Sequence, residues 1–431
     1  MRRIFYAIWI SCLSLLFLLE NKLGNSSFSK PQEQVSFGIA EDSDWPQPKE
    51  IVDTNSYLLR RVEFTDDKPK HIWTTELNRL PEVKNTGPVD ANTRFFLTFT
   101  DNSHLAVGLF FPLRVNGILP GRTPAQRSRT LILMVDGLTG KTLHFRGWND
   151  FQGEPAVIDG YDMRPANTNE LLVVVGNDVL RLSPELEVLA QRSLVRSAQE
   201  KHGLTYYDYW NLVASPAGNF ALLIHKGLDE CCENHWISTR NLADDKRLVG
   251  PNSLSSTLLM ENGAIVFNTA GDAHHRLFAS KLEHEGPPQL LCSSCGAVFT
   301  AFGKDLILLG LAQHSVSYII VDIDGTEFYR TNLGHGADRV LQVSGSSATN
   351  RVALLCGSLR TSFLRGWRDT NRIVVLDADV KHKVVEIDSS GEGEHPGNDW
   401  QVFNTPRLAL SPDGTRLAIL RGSTLELLAI P

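Results

Sequence analysis

From Thr93 to the C-terminus the chain alternates short apolar runs, rich in Val, Ile, Leu and Phe, with clusters of Gly, Asn, Asp and Ser. Apolar run, turn, apolar run is the signature of strand, hairpin, strand. The clearest copy lies near the end, where residues 408–420 read Leu-Ala-Leu-Ser-Pro-Asp-Gly-Thr-Arg-Leu-Ala-Ile-Leu. There Pro412 presets φ, Asp413 bonds its own turn, and Gly414 accepts a positive φ. Earlier copies turn around Asp101-Asn102, Pro216-Ala217-Gly218, Glu261-Asn262-Gly263 and Gly303-Lys304, with more degenerate ones near Ala166-Asn167 and Ser347. A second element follows most of them, an apolar strand ending in an Asp-containing turn, as in 131–141, 318–325 and 373–379. Pairing the two elements predicts a four-stranded unit. Turn centres near 102, 167, 218, 262, 303, 348 and 413 mark seven such units. No heptad or sustained 3.6-residue stripe competes with this pattern.

Shared among seven units, the span 93–431 gives about 48 residues each, slightly above the ~40 to 45 of a four-stranded propeller blade. The segment Leu-Ser-Pro-Asp-Gly-Thr-Arg-Leu-Ala at 410–418 resembles bacterial exported WD-repeat-like seven-bladed β-propellers. The resemblance is architectural, since the Trp-Asp dipeptide of true WD repeats is absent. It implies an all-β ring of seven four-stranded antiparallel blades. After Ser411 the chain has residues for only three strands, ending over 425–430, so the last blade is expected to take its outer strand from the N-terminal side, at 56–64. Such closure removes exposed sheet edges.

Composition changes the picture by exclusion. With 42% hydrophobic and 21% charged residues the chain reads as an ordinary folded domain, not as a disordered, collagenous or polytopic membrane protein. Forty-two basic against 49 acidic residues leave a net charge of −7, which supplies no bulk positive surface for nucleic acid. Arg2 and Arg3 precede an uncharged, mostly apolar run from Ile4 to Leu19, the pattern of an export signal. The run is close to a spanning length, and no small-x-small cleavage site succeeds it, so residues 1–24 read equally as a signal peptide or a membrane anchor. The basic flank places the rest of the chain outside the cytoplasm. Residues 25–50, polar and carrying Pro31, Pro46 and Pro48, read as a linker, and 51–431 as the propeller.

Candidate chemistry is sparse. Cys231, Cys232, Cys292 and Cys295 fall in connections that a propeller brings to one face, the face of the channel mouth, and in an exported chain they are disulfide candidates. Zinc on Cys292-x-x-Cys295 with Cys231 or Cys232 is the alternative, and Cys356 is expected to be a buried thiol. Asp136-Gly137-Leu138-Thr139-Gly140-Lys141 faintly resembles a quinone-cofactor dehydrogenase repeat but occurs once, without the docking Trp. His274, His275, His284 and Glu285 fit a solvated hairpin better than a metal cluster. No nucleophile elbow, phosphate loop or His-Glu-x-x-His is present, so no catalytic residue, metal ligand or cofactor is assigned.

Two features remain. Arg114, Arg122, Arg127 and Arg129 fall in one long loop, and Arg360, Arg365, Arg368 and Arg372 in another, on blades flanking the last one. Guanidinium forks suit carboxylates, phosphates and sulfates. Inter-blade segments carrying Trp148 and Asp150, Tyr207, Asp208 and Trp210, and Asp399 and Trp400 either face the channel mouth as a ligand platform or pack between blades. Together these residues read as an exported, monomeric, non-enzymatic binding or scaffold protein. It engages a protein partner or anionic polymer through its loop-rich face, meets no nucleic acid, and touches membrane only through the N-terminal segment. The alternative is a propeller enzyme, a polysaccharide lyase or lactonase-type hydrolase, using Asp150, Asp208 and Asp399 at the channel mouth.

Overall fold

The computed structural model describes residues 60–61, 67–87, 89–90, 93–112, 128–149, 162–166, 169–175, 178–194, 198–201, 204–207, 209–226, 233–244, 254–269, 276–281, 288–292, 295–311, 317–332, 339–362, 366–379, 384–388 and 406–431. All belong to the unit Lys49–Pro431, so the segments 1–24 and 25–50 lie outside them. Among the described residues no helix is long and apolar enough to cross a membrane.

The fold is a seven-bladed β-propeller of antiparallel sheets. Each blade starts at its innermost strand and steps outward. The inner strands are Arg94–Phe99, Asp162–Ala166, Tyr209–Ala214, Leu254–Leu259, Cys295–Phe302, Arg339–Gly345 and Arg407–Leu410, in blades 1 to 7. They follow one another around a ring that closes from blade 7 onto blade 1. Every one of the seven turn centres read from the sequence joins an inner strand to its second strand. In blade 3 three strands lie among the described residues, with a bridge from Ile237 to Asp244 at the outer edge.

Because side chains alternate between the two faces of a strand, each blade gives one set of apolar residues to each neighbour. Seven hydrophobic clusters result, one per blade interface. The second strands are buried on both faces and read as unbroken apolar runs, such as Leu171, Leu172, Val173, Val174 and Val175 in blade 2.

Blade 7 is closed by an N-terminal strand, but by Lys70–Glu76 rather than 56–64. Lys70 pairs with Ala429 and Glu76 with Thr424. Side chains make the choice, since any strand can satisfy a backbone edge. Trp73 enters the core between blades 7 and 1, Thr75 Oγ1 donates to the Gly140 carbonyl at 3.3 Å, and Thr424 Oγ1 donates to Glu76 at 2.7 Å. Part of the expected segment, Arg60–Arg61, instead pairs in parallel with Thr331 and Asn332 at the outer edge of blade 5. After Glu76 the chain makes a short 3-10 turn, Leu77–Arg79, and one helix, Pro81–Thr86, which bury Leu77 and Val83 in the interface between blades 7 and 1.

Candidate binding face

The two faces of the ring are built differently. On one, connections are short and hold each other. Ser215, Ser346 and Ser411 open three of the inner hairpins, are buried, and accept the backbone N–H of Phe220, Arg351 and Arg416 across the turn. Neighbouring turns then bond directly. Gly303 donates to the Ser346 carbonyl at 2.8 Å, Ala348 to Pro412 at 2.9 Å, and the Asp413 N–H to Asn102 Oδ1 at 3.0 Å. Glu261 of blade 4 accepts from Ala217 and Asn219 of blade 3. These hydrogen bonds fasten neighbouring blades of the ring to each other.

Asp413 makes that fastening sensitive to pH. Burial pushes its carboxyl up, but hydrogen bonds from Ser411 and Thr415 and the charge of Arg416 outweigh it, leaving the group below its ordinary 3.8. A depressed carboxylate contributes stability above its unfolded value, and that contribution is lost as pH falls through the folded one. Asp413→Asn is therefore expected to lower the melting temperature at pH 7, with the gap from wild type closing below about pH 4. A gap that persists unchanged at pH 3 would assign the loss to packing instead of charge.

At the opposite face stand the strand ends that flank the connections 113–127, 150–161 and 389–406. Here also the third strands of the blades begin. Arg129 lies at the start of the third strand of blade 1, Ser128–Asp136, and donates from Nη1 to the Thr86 carbonyl at 2.9 Å, tying the helix to the blade. Arg372 donates to Glu386 at 3.1 Å, a bond between the third and outer strands of blade 6. These two arginines are structural ties. Arg114, Arg122, Arg127 and Arg365 lie outside the described residues.

The segment 357–372, read as a loop, is a correction. The second and third strands of blade 6, Arg351–Ser362 and Gly366–Asp377, continue as a two-stranded ribbon beyond the start of the inner strand, Arg339, which lies opposite Gly357. The long pairing holds because nothing in 357–362 or 366–371 breaks a strand, Gly357 and Gly366 sitting at its ends. Its register sets Arg360 opposite Arg368. Like charges directly opposed across a strand pair destabilise it.

The aromatic positions divide. Trp210 is 5% exposed, packed in the core between blades 2 and 3 with its ring 5.2 Å from that of His235. Trp148 is half-buried against the interface of blades 1 and 2, under the Arg146 guanidinium at 5.4 Å. Tyr207 ends the second strand of a small hairpin, Ala198–Lys201 with Leu204–Tyr207, between blades 2 and 3. Asp150, Asp208, Asp399 and Trp400 lie outside the described residues. Cys292 is buried at the end of the outer strand of blade 4, and Cys295 opens the inner strand of blade 5. Cys231 and Cys232 lie outside the described residues, and Cys356 is a buried thiol.

One group of residues on this face was not singled out from the sequence. Arg339, Arg407 and Arg94 are the first residues of the inner strands of blades 6, 7 and 1, which are consecutive in the ring. A signal existed: arginine precedes an apolar inner strand in Arg339-Val340-Leu341, Arg407-Leu408-Ala409 and Arg94-Phe95-Phe96. On blade 2 the corresponding strand carries Asp162 and Arg164, paired at 3.1 Å. Burial pushes the Asp162 carboxyl up, further than Arg164 and the Met163 N–H bring it down.

No family model and no curated protein matches the chain. Among solved structures it is similar to Hsv2p of Kluyveromyces lactis, at 12% identity and a TM-score of 0.43, over 76% of this chain and 89% of that one. It is also similar to a chain of the mitotic checkpoint complex, at 10% identity and a TM-score of 0.45, over 87% and 99%. A third is lmo1340 of Listeria monocytogenes, at 7% identity and a TM-score of 0.45, over 84% and 92%.

Proposed function

We propose that this chain is an exported binding or scaffold propeller that engages a protein partner or an anionic ligand through its loop-rich face. The observation that carries the reading is the asymmetry of the ring. One face carries turn-to-turn hydrogen bonds between blades, while at the other stand the strand ends that lead into the long connections, with the arginine-bearing ribbon of blade 6. An opposed arginine pair costs stability unless an anion or an acidic partner surface relieves it. The N-terminal Arg2, Arg3 and the run Ile4 to Leu19 support export, and the cysteine pattern around Cys292 and Cys295 fits an oxidising compartment.

The test is chromatographic. On a sulfated polymer the wild type is retained at low salt and released as salt is raised, since screening shortens the reach of a charge to ~8 Å at physiological ionic strength. The double variant Arg365→Ser, Arg368→Ser elutes earlier, with a melting temperature no lower than wild type because the ribbon lies beyond the rest of its blade. Equal retention of both proteins, or equal retention on a neutral polymer, removes the ribbon from the binding face.

A further inference from the structure

A cavity opens between blades 1 and 2, at the end of their interface where the inner strand of blade 2, Asp162–Ala166, and the third strand of blade 1, Ser128–Asp136, begin. With its mouth included it measures about 250 Å³. Phe96, Phe110 and Ile132 of blade 1 and Met163 of blade 2 give it an apolar wall. Gly108 keeps the space open. It stands opposite Phe96 in the strand pair, and a Cβ there would lie 3.3 Å from Phe96 Cβ and 3.6 Å from the Met163 sulfur. Protein interiors hold few voids larger than a water molecule, so the cavity needs an explanation.

Two polar side chains, Thr130 and Asp162, complete its lining. Thr130 is 7% exposed, and strands pair on both sides of it, with Phe110 on one and Trp148 on the other. Its Oγ1 is buried and has no hydrogen-bond partner among the described residues. A hydroxyl taken out of water without a partner destabilises a fold. This one faces the cavity, where a guest would satisfy it. Asp162 differs, because its bonds are already made. Oδ1 accepts the Met163 N–H at 2.8 Å, and Oδ2 pairs with Arg164 at 3.1 Å. With that carboxylate neutralised by its own neighbour, the cavity favours neither a cation nor an anion. Its chemistry is an apolar wall and one free hydroxyl.

We propose that the cavity between blades 1 and 2 binds a small neutral alcohol, a compact apolar body no larger than about one six-membered ring, whose hydroxyl hydrogen-bonds Thr130. A threonine hydroxyl both donates and accepts, so it pairs with an alcohol in either sense. The apolar body packs against Phe96, Phe110, Ile132 and Met163. This site goes beyond the reading of the loop-rich face, since it uses neither the ribbon of blade 6 nor an anion.

The experiment is titration of the full chain with phenol and with toluene, probes of similar size that differ in the hydroxyl, followed by ligand-observed NMR. Wild type is expected to bind phenol. In Thr130→Val the ratio of phenol to toluene affinity is expected to fall about fivefold, the contribution of one neutral hydrogen bond. Without a probe, Thr130→Val melts at or above the wild-type temperature, because it removes an unpaired buried hydroxyl. Thr130→Ser keeps the wild-type preference. Gly108→Ala, which puts a methyl group into the cavity, weakens both probes alike. The ribbon variant Arg365→Ser, Arg368→Ser binds phenol like wild type, so loss of polymer retention and loss of phenol are separate results. No binding of phenol, or a phenol to toluene ratio unchanged by Thr130→Val, overturns the site.

Discussion

Trp73→Ala is expected to cost about 3–5 kcal/mol of folding stability, the range for truncating a buried large aromatic side chain. Against the ~5–15 kcal/mol that holds a typical domain together, this leaves the ring close to opening. Trp73 is 8% exposed in the strand that closes blade 7, and its indole N–H donates to the Gly137 carbonyl at 3.2 Å. The ring lies so close to Gly140 that a Cβ there would sit 2.7 Å from it. Truncation removes the apolar contact between blades 7 and 1 and frees the closing strand, exposing the edge of Thr424–Ala429. Urea unfolding measures the loss, with the exposed Lys70→Ala on the same strand as reference, expected within about 0.5 kcal/mol of wild type. Similar losses for both variants would mean that the strand closes the blade through its backbone alone.

Gly218→Ala is expected to destabilise by about 2–5 kcal/mol, from backbone strain together with overpacking. Gly218 has a φ of +75°, and a Cβ there would lie 2.3 Å from the Pro165 carbonyl oxygen and 2.5 Å from Ala166 Cα. Both are backbone atoms of the neighbouring blade, so relief requires blades 2 and 3 to separate. Gly263→Ala separates the two causes. It shares a φ of +75°, but its Cβ would meet the Phe220 ring at 3.4 Å, an ordinary contact. Its expected cost is the strain alone, about 1 kcal/mol. Thermal unfolding of the pair decides, and equal losses would remove the steric argument.

Each of these effects depends on a contact between blades, and that is where reading from sequence ends. Within a blade the information is local. A hairpin is specified by an alternation of apolar residues and a turn such as Ser411-Pro412-Asp413-Gly414, in which the side chains of Ser411 and Asp413 make hydrogen bonds that close within five residues. The sequence by itself therefore determined the seven inner turns, the four-stranded unit and the closure by an N-terminal strand. Tertiary structure decided the choices that locality leaves open. Any extended segment can pair with the edge of blade 7, and Lys70–Glu76 wins because Trp73 and Thr75 fit against the Gly137 to Gly140 turn of blade 1. The hairpin at 357–372 carries turn-like glycines and charges, so its continuation as a ribbon rests on cross-strand pairing that composition does not reveal. Arg129 and Arg372 read in the sequence as loop arginines of an anion-binding face, and the fold ties them to Thr86 and Glu386. Arg94, Arg339 and Arg407 stand far apart along the chain and become neighbours only when the ring closes, because a ring brings together the first residues of strands that no local pattern connects.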